Sequence, residues 1–308
     1  MSRPNARPLR RSAPRPLRSL SVLLVPAALA LTTLLAAARP AAATEETATR
    51  RETLSFEGGA PGQARRLRVC NVFGSITARG TTGDEVRLVV HERFSGDTPA
   101  AVARAKRDMA LGFDRGAGSM EVYVGHPCDA RQRHDDRDDD HDHAKAKYDF
   151  EIEVPQGVAV DLSTVLDGKV TLTDHRGPFR VTNVNGAVEA TGISGSGRAT
   201  TVNGAVTVRF ADNPREACRF ETVNGAVDVA FRPGLAADLR FKTLNGDVYS
   251  DFPYTYRSAV ETHRHQEGGM TVLSSRSLAG IRVGGGGVEH SLTTVNGNIY
   301  VRQGGPES

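Results

Sequence analysis

Apolar and polar residues alternate with a period of two through most of this chain. In Thr201-Val202-Asn203-Gly204-Ala205-Val206-Thr207-Val208, the pattern puts Val202, Val206 and Val208 on one face of a strand and Thr201, Asn203 and Thr207 on the other. The pattern recurs. Val-Asn-Gly-Ala-Val stands at Val184–Val188, Val202–Val206 and Val223–Val227. Looser copies begin at Leu166, Leu244 and Val295. Measured on the glycines, the steps are 18 residues from Gly168 to Gly186, 18 to Gly204, 21 to Gly225, 21 to Gly246 and 51 to Gly297. A fixed period of this length is the signature of a repeat architecture.

Asn-Gly takes positive φ readily, so each copy fits either a bend in a solenoid rung or a two-residue hairpin. Identity between copies separates the two. Hairpins do not require it, whereas stacked rungs set Val over Val and Asn over Asn, and stacked asparagines can form hydrogen-bonded ladders. The fold class expected is therefore all-β, a short parallel, right-handed β-solenoid over 158–303, preceded by a β region over 44–157 that carries one helix.

In that preceding region Leu67 and Val69, then Val86, Leu88 and Val90, then Met120, Val122 and Val124 alternate as strands. A helix is predicted over 98–111, with Thr98 as N-cap, Pro99 as first helical residue and Gly112 just beyond its end. Val102, Ala105 and Met109 would form its apolar stripe, and Arg104, Lys106 and Arg107 its solvated side. Val72-Phe73-Gly74-Ser75-Ile76 reads as a degenerate copy with Phe in place of Asn, suited to a capping rung.

The first 43 residues change the charge picture. Six arginines from Arg3 to Arg18 precede an apolar run from Leu20 to Ala38, and Ala41-Ala42-Ala43 offers small residues for cleavage before Thr44. This is a signal-peptide pattern over 1–43. An uncleaved membrane anchor is the alternative, weakened by the low hydrophobicity of a run rich in Ala, with Thr32, Thr33 and Pro26. The segment holds seven of the 39 basic residues and none of the 36 acidic ones, so the mature chain carries 32 against 36, a net −4. No basic stripe remains to expect nucleic acid as a partner. The expected location is outside the cytoplasm, periplasmic or on the cell surface, with no stable membrane span once the signal is removed.

From Tyr148 the pattern sharpens. Tyr148, Phe150, Ile152 and Val154 alternate with acids, Pro155-Gln156-Gly157 turns, Val158, Val160 and Leu162 resume, and the serial Asn-Gly copies follow. With the closing Leu278–Gly287 stretch running into Leu292–Gly297, this resembles the bacterial β-strand-repeat proteins grouped as DUF4097, related to the adhesin-head domains called GIN or DUF2807. The resemblance covers roughly Leu67 to Val301. It implies an exported β-solenoid of the cell envelope, adhesin-like or linked to envelope stress, and it carries no catalytic residue across.

Candidate chemistry gathers in the loop 126–147, where His126, Cys128, His134, His141 and His143 lie among aspartates at 135, 136, 138, 139, 140 and 142. Imidazole with thiolate or carboxylate suits Zn²⁺ or Cu²⁺, the one cofactor this chain suggests, although the spacing matches no established site. Interspersed Arg131, Arg133, Arg137, Lys145 and Lys147 favour a solvated insertion instead. His263-Arg264-His265 is a second His-x-His. Three cysteines allow one disulfide: Cys70–Cys128 would fasten the loop to the first rungs, and the pairings through Cys218 stay open.

Enzyme signatures are otherwise missing. Gly195-Ser196-Gly197 does not complete a nucleophile elbow, and the glycines at 284–287 lack the Lys-Ser/Thr of a phosphate loop. The outward column Glu189, Thr207, Asp228, Tyr249 and Tyr300, with Tyr254 and Tyr256, offers a face on which a polysaccharide could lie. The reading is a non-enzymatic adhesin-like or scaffold protein whose partner is an envelope protein or a polysaccharide. A metal-binding or envelope-stress accessory protein and a polysaccharide-active solenoid are the alternatives.

Overall fold

In the computed structural model, which describes residues 44–57, 64–129, 144–257, 263–267, 270–274 and 279–304, nearly every element is a strand. The chain opens with β1 (Thr44–Leu54), β2 (Arg66–Cys70), β3 (Ile76–Thr81) and β4 (Val86–Gly96). Helix α1 (Pro99–Asp108), β5 (Leu111–Gly116), β6 (Ser119–Val124) and β7 (Lys145–Pro155) follow. Short strands then alternate: β8 (Ala159–Ser163), β9 (Val170–Thr173), β10 (Phe179–Thr182), β11 (Val188–Ile193), β12 (Gly197–Thr200), β13 (Val206–Phe210), β14 (Arg219–Glu221), β15 (Val227–Phe231), β16 (Ala237–Lys242) and β17 (Val248–Ser250). After β18 (Tyr254–Tyr256), β19 (His263–Glu267), β20 (Met270–Ser274) and β21 (Ala279–Val283), the chain closes with β22 (Val288–Thr293) and β23 (Ile299–Gln303).

Two sheets enclose one core. The first runs β1-β4-β7-β3-β9-β11-β13-β15-β23-β17-β20-β19 and the second β18-β21-β16-β22-β14-β12-β10-β8-β2-β6-β5. Each repeat lays one strand in each sheet, paired in parallel with its neighbours: Val188 opposes Val206, Val206 opposes Val227 and Val227 opposes Ile299. These side chains are fully buried. On the facing sheet Leu162, Val181, Ala199, Phe220, Leu292 and Phe241 form the matching column. The expected all-β stack is thus present, and the parallel Asn-to-Asn bridges rule out the hairpin alternative.

The corner departs from simple alternation. Thr201 is buried and Val202 is 37% exposed, the reverse of the faces that period two assigns. The cause is the corner carbonyl, which points along the stack and needs a donor. Thr201 Oγ1 donates to Gly186 O at 2.8 Å, Thr222 to Gly204 O at 2.8 Å, Thr294 to Gly225 O at 2.9 Å and Thr243 to Gly297 O at 3.0 Å. Asn183 Nδ2 does the same for Gly168 O at 2.9 Å. The glycines are required for closeness: a Cβ on Gly225 would lie 2.0 Å from Gly204 O, and one on Gly246 1.9 Å from Gly297 O. Outside the turn, Asn245, Asn296, Asn224 and Asn203 each donate Nδ2 to the next Oδ1, ending at Asn185, at 2.7–2.8 Å.

Stacking order is not chain order. β22–β23 lies between β14–β15 and β16–β17, and β2–β3 lies between β6–β7 and β8–β9. Val72–Ile76 is therefore an interior rung, not the capping rung its degenerate sequence suggests; Phe73 bridges Leu166 on one side, and Asp149 of β7 accepts from Ser75 N and Oγ on the other. The regions 44–157 and 158–303 share both sheets through β3–β9 and β2–β8 pairing. Antiparallel strands close both ends, β4, β1 and β5 at one and β20, β19, β21 and β18 at the other. Helix α1 covers the first end with Ala101, Val102 and Ala105. Thr98 caps it as expected, but it stops at Asp108 with Met109 as C-cap, and Gly112 pairs in β5 instead of ending the helix.

Candidate functional site

The predicted cluster begins where β6 ends. Gly125 takes φ 79°, which turns the chain so that His126 N donates to Val124 O at 3.0 Å. Cys128 then reaches Cys70, the residue at the end of β2, and the two form a disulfide with their Cα atoms 5.7 Å apart. This corrects the candidate ligand set, because a bridged sulfur cannot serve as a thiolate ligand. Cys128 N is held by Glu121 Oε1 at 2.7 Å, and Arg68 Nη1 donates to Asp129 Oδ2 at 2.5 Å. That hydrogen bond holds the Asp129 carboxyl below the usual range. His126 is exposed at the rim of a cleft of about 410 Å³ beside the disulfide. His134, His141 and His143 lie outside the described residues. His263 and His265 fall in β19. Among the described residues no group of three His, Cys, Asp or Glu side chains is placed to hold a metal.

The bridge closes a sequence separation of 58 residues. Replacing both cysteines with serine should lower stability by about 2–4 kcal/mol, several degrees in Tm for a chain of this size. Calorimetry with and without reductant checks this; equal melting of the oxidised wild type and the double variant would show that the bridge does not form.

Cys218, the third cysteine, is a core group. Burial pushes its thiol up to about 11, and its backbone N donates to His290 Nδ1 at 3.2 Å. His290 is itself buried, stacked on Phe231 with ring centroids 5.5 Å apart, and desolvation lowers it to about 4. Neither group is poised for nucleophilic chemistry at neutral pH.

The outward column on the first sheet does assemble in register. Glu189 faces Thr207, Thr207 faces Asp228, and Asp228 and Tyr249 flank Tyr300. Its aromatic part is already engaged: Tyr249 stacks on Tyr300 at 4.9 Å, and the Arg302 guanidinium lies 5.0 Å from the Tyr300 ring centre. Tyr254 and Tyr256 belong to the second sheet and meet edge to face, so they add nothing to this surface.

Sequence reasoning missed a cleft next to this column, at the ends of β11, β13, β15 and β23. A bulge between Thr191 and Ile193, with Gly192 at φ 70°, opens it. Its volume is about 630 Å³, and Arg209, Arg232 and Arg302 line it together with the buried Ala230 and Phe210, whose ring is packed on Phe231 in the core. Asp228 holds two of the three: Arg209 Nη1 donates to Oδ1 at 2.9 Å, and Arg302 Nε to Oδ1 and Oδ2 at 3.1 and 3.0 Å. The signal was available only through register, since Arg209 opposes Ala230 and Ala230 opposes Arg302.

No family model and no curated protein matches the chain. Solved structures similar to it include one from Clostridium sporogenes, provisionally named a cell adhesion protein, at 10% identity and TM-score 0.40, covering 84% of this chain and all of that one. Another, from Bacteroides fragilis and provisionally named an adhesin, has 9% identity and TM-score 0.32, with 83% and 97% covered. A third, from Parabacteroides distasonis and provisionally named a lipid binding protein, has 9% identity and TM-score 0.25, with 83% and 96% covered.

Proposed function

We propose that this protein is an exported, non-enzymatic component of the cell envelope that acts as an adhesin-like or scaffold surface. The observation that carries the reading is the stack itself, whose parallel register lines up outward side chains from successive repeats into one continuous face ending at an arginine cleft. Such a face suits binding of an extended partner, as solenoid surfaces generally do.

Two further features support export. A Cys70–Cys128 disulfide belongs to an oxidising compartment. Thr44–Leu54, all of them beyond the proposed cleavage point after Ala43, pair along their whole length with β4. No helix among the described residues is long and apolar enough to cross a membrane. Fractionation with an antibody to the carboxy terminus should find a processed chain starting at Thr44 outside the cytoplasm. A full-length chain in washed membranes would replace this reading with an anchored one, and a cytoplasmic chain would end it.

A further inference from the structure

We propose that two copies of this protein associate edge to edge through β1, antiparallel and centred on Ala48, so that the first sheet of one copy continues into that of the other. The inference goes beyond the surface-binding reading and does not depend on it, since it rests on the sequence of one strand and its place in the sheet.

β1 is the terminal strand of the first sheet, and among the described residues no strand pairs with its outer edge. At 11 residues it is longer than the other terminal strands β5, β18 and β19, which have six, three and five. Glu45 to Arg51 are exposed throughout, so helix α1 leaves this stretch open. Such an edge offers a row of unpaired N–H and C=O groups, and proteins ordinarily shorten it, bulge it, or place Pro or Lys on it. β1 has no Pro, Gly or Lys, and it pairs with β4 without a bulge. It carries charges of both signs instead.

The order of those charges selects the partner. Along an edge strand the N–H and C=O groups of alternate residues point outward, and opposed residues of an antiparallel pair exchange both hydrogen bonds or neither. Two identical edges therefore pair only in registers that set one residue against its own copy, with a two-fold axis through that point. Centred on Ala48, the register sets Glu45 against Arg51, Glu46 against Arg50 and Thr47 against Thr49, each twice by symmetry. Centred on Thr47 it makes no Glu–Arg pair, on Thr49 it opposes Glu46 to Glu52 twice, and on Arg50 it opposes that residue to itself. Opposite charges directly across two strands stabilise the pairing and like charges oppose it. One register of one partner, a second copy, is thus selected and its neighbours are rejected. The surrounding charges agree in sign. Glu45 meets Arg93 at 3.3 Å, Glu46 meets Lys106, and Arg50 meets Glu92 at 3.4 Å. Across the dimer, Lys106 and Glu46 of one copy and Arg50 and Glu92 of the second would alternate in sign. Arg51, which has no ion pair among the described residues, would gain Glu45 of the second copy.

The test is sedimentation equilibrium of the mature, disulfide-bonded protein and its variants. Wild type should form a dimer that weakens as salt rises, because the contacts that fix its register are exposed charge pairs. E45R and R51E each turn two attractive pairs into two like-charge ones and should weaken association by at least about tenfold. Mixed in equal amounts, the two variants restore opposite charge at both positions and should associate again, which separates a lost contact from a misfolded chain. The register is read by cross-linking. Ala48→Cys stands opposite its own copy, with Cα atoms about 5 Å apart, and should oxidise to a covalent dimer. Thr53→Cys lies about 33 Å along the strands from its own copy and should not. A protein that stays monomeric up to about 0.5 mM, unchanged affinity in R51E, no association in the mixture, or cross-linking of Thr53→Cys in place of Ala48→Cys would each overturn the proposal. None of these outcomes touches the envelope reading, which fractionation tests by itself.

Discussion

A chain lacking Val288–Gly304 should lose the far end of its stack as a unit, not only two strands. β16 pairs with β22 and β21, and β17 with β23 and β20; neither pairs with β14 or β15. Excision therefore removes the one rung that joins β16–β21 to the rest. The buried side chains of Leu292, Ile299 and Val301 alone account for about 5 kcal/mol or more of stability. Hydrogen exchange should show β16 and β17 unprotected while β8 to β13 stay slow, and proteolysis should begin in 232–236. Protection of β16 and β17 undiminished in the shortened chain would mean that they close directly onto β14 and β15, whose corner asparagine Asn224 uses the same register, and that the inserted rung is dispensable.

The second large effect is a contrast between neighbours. Val206→Asp puts a carboxylate into a fully buried column between Val188 and Val227, and should cost about 4 kcal/mol or more through lost packing and desolvation. Val202→Asp, four residues away and on the same face by simple alternation, should cost less than about 1 kcal/mol because Val202 is exposed at the corner. Thermal melts of both variants decide it. Similar losses would mean that the phase does not flip at the corner.

That contrast also marks where the sequence stopped being readable. Exact recurrence of Val-Asn-Gly-Ala-Val was enough to infer in-register stacking, since only stacked rungs need identity, and the asparagine ladder follows from it. The buried role of Thr201, Thr222 and Thr294 was not readable, because alternation presumes an unbroken strand and the corner shifts the phase at the residue that must satisfy a glycine carbonyl. The inserted rungs were not readable either. The 51-residue step before Gly297 announces an excursion, but repeats with one register stack equally well in any order. The Cys70–Cys128 pairing was one of three options, and geometry chose it. The arginine cleft joins residues far apart in the chain, and no local pattern marks them.

The insertion of β22–β23 bears on how the protein is made. An exported chain enters the compartment where it folds amino terminus first, so β16 and β17 arrive when the only docked surface, β14–β15, is one they must leave vacant. The 51 residues from Gly246 to Gly297 must then follow before the vacant place can be filled. Throughout that interval an open parallel edge and two unclaimed strands coexist, with matching registers that invite premature closure. Correct assembly then depends on the late rung arriving before the early one settles, which makes the rate at which the chain is delivered a determinant of yield.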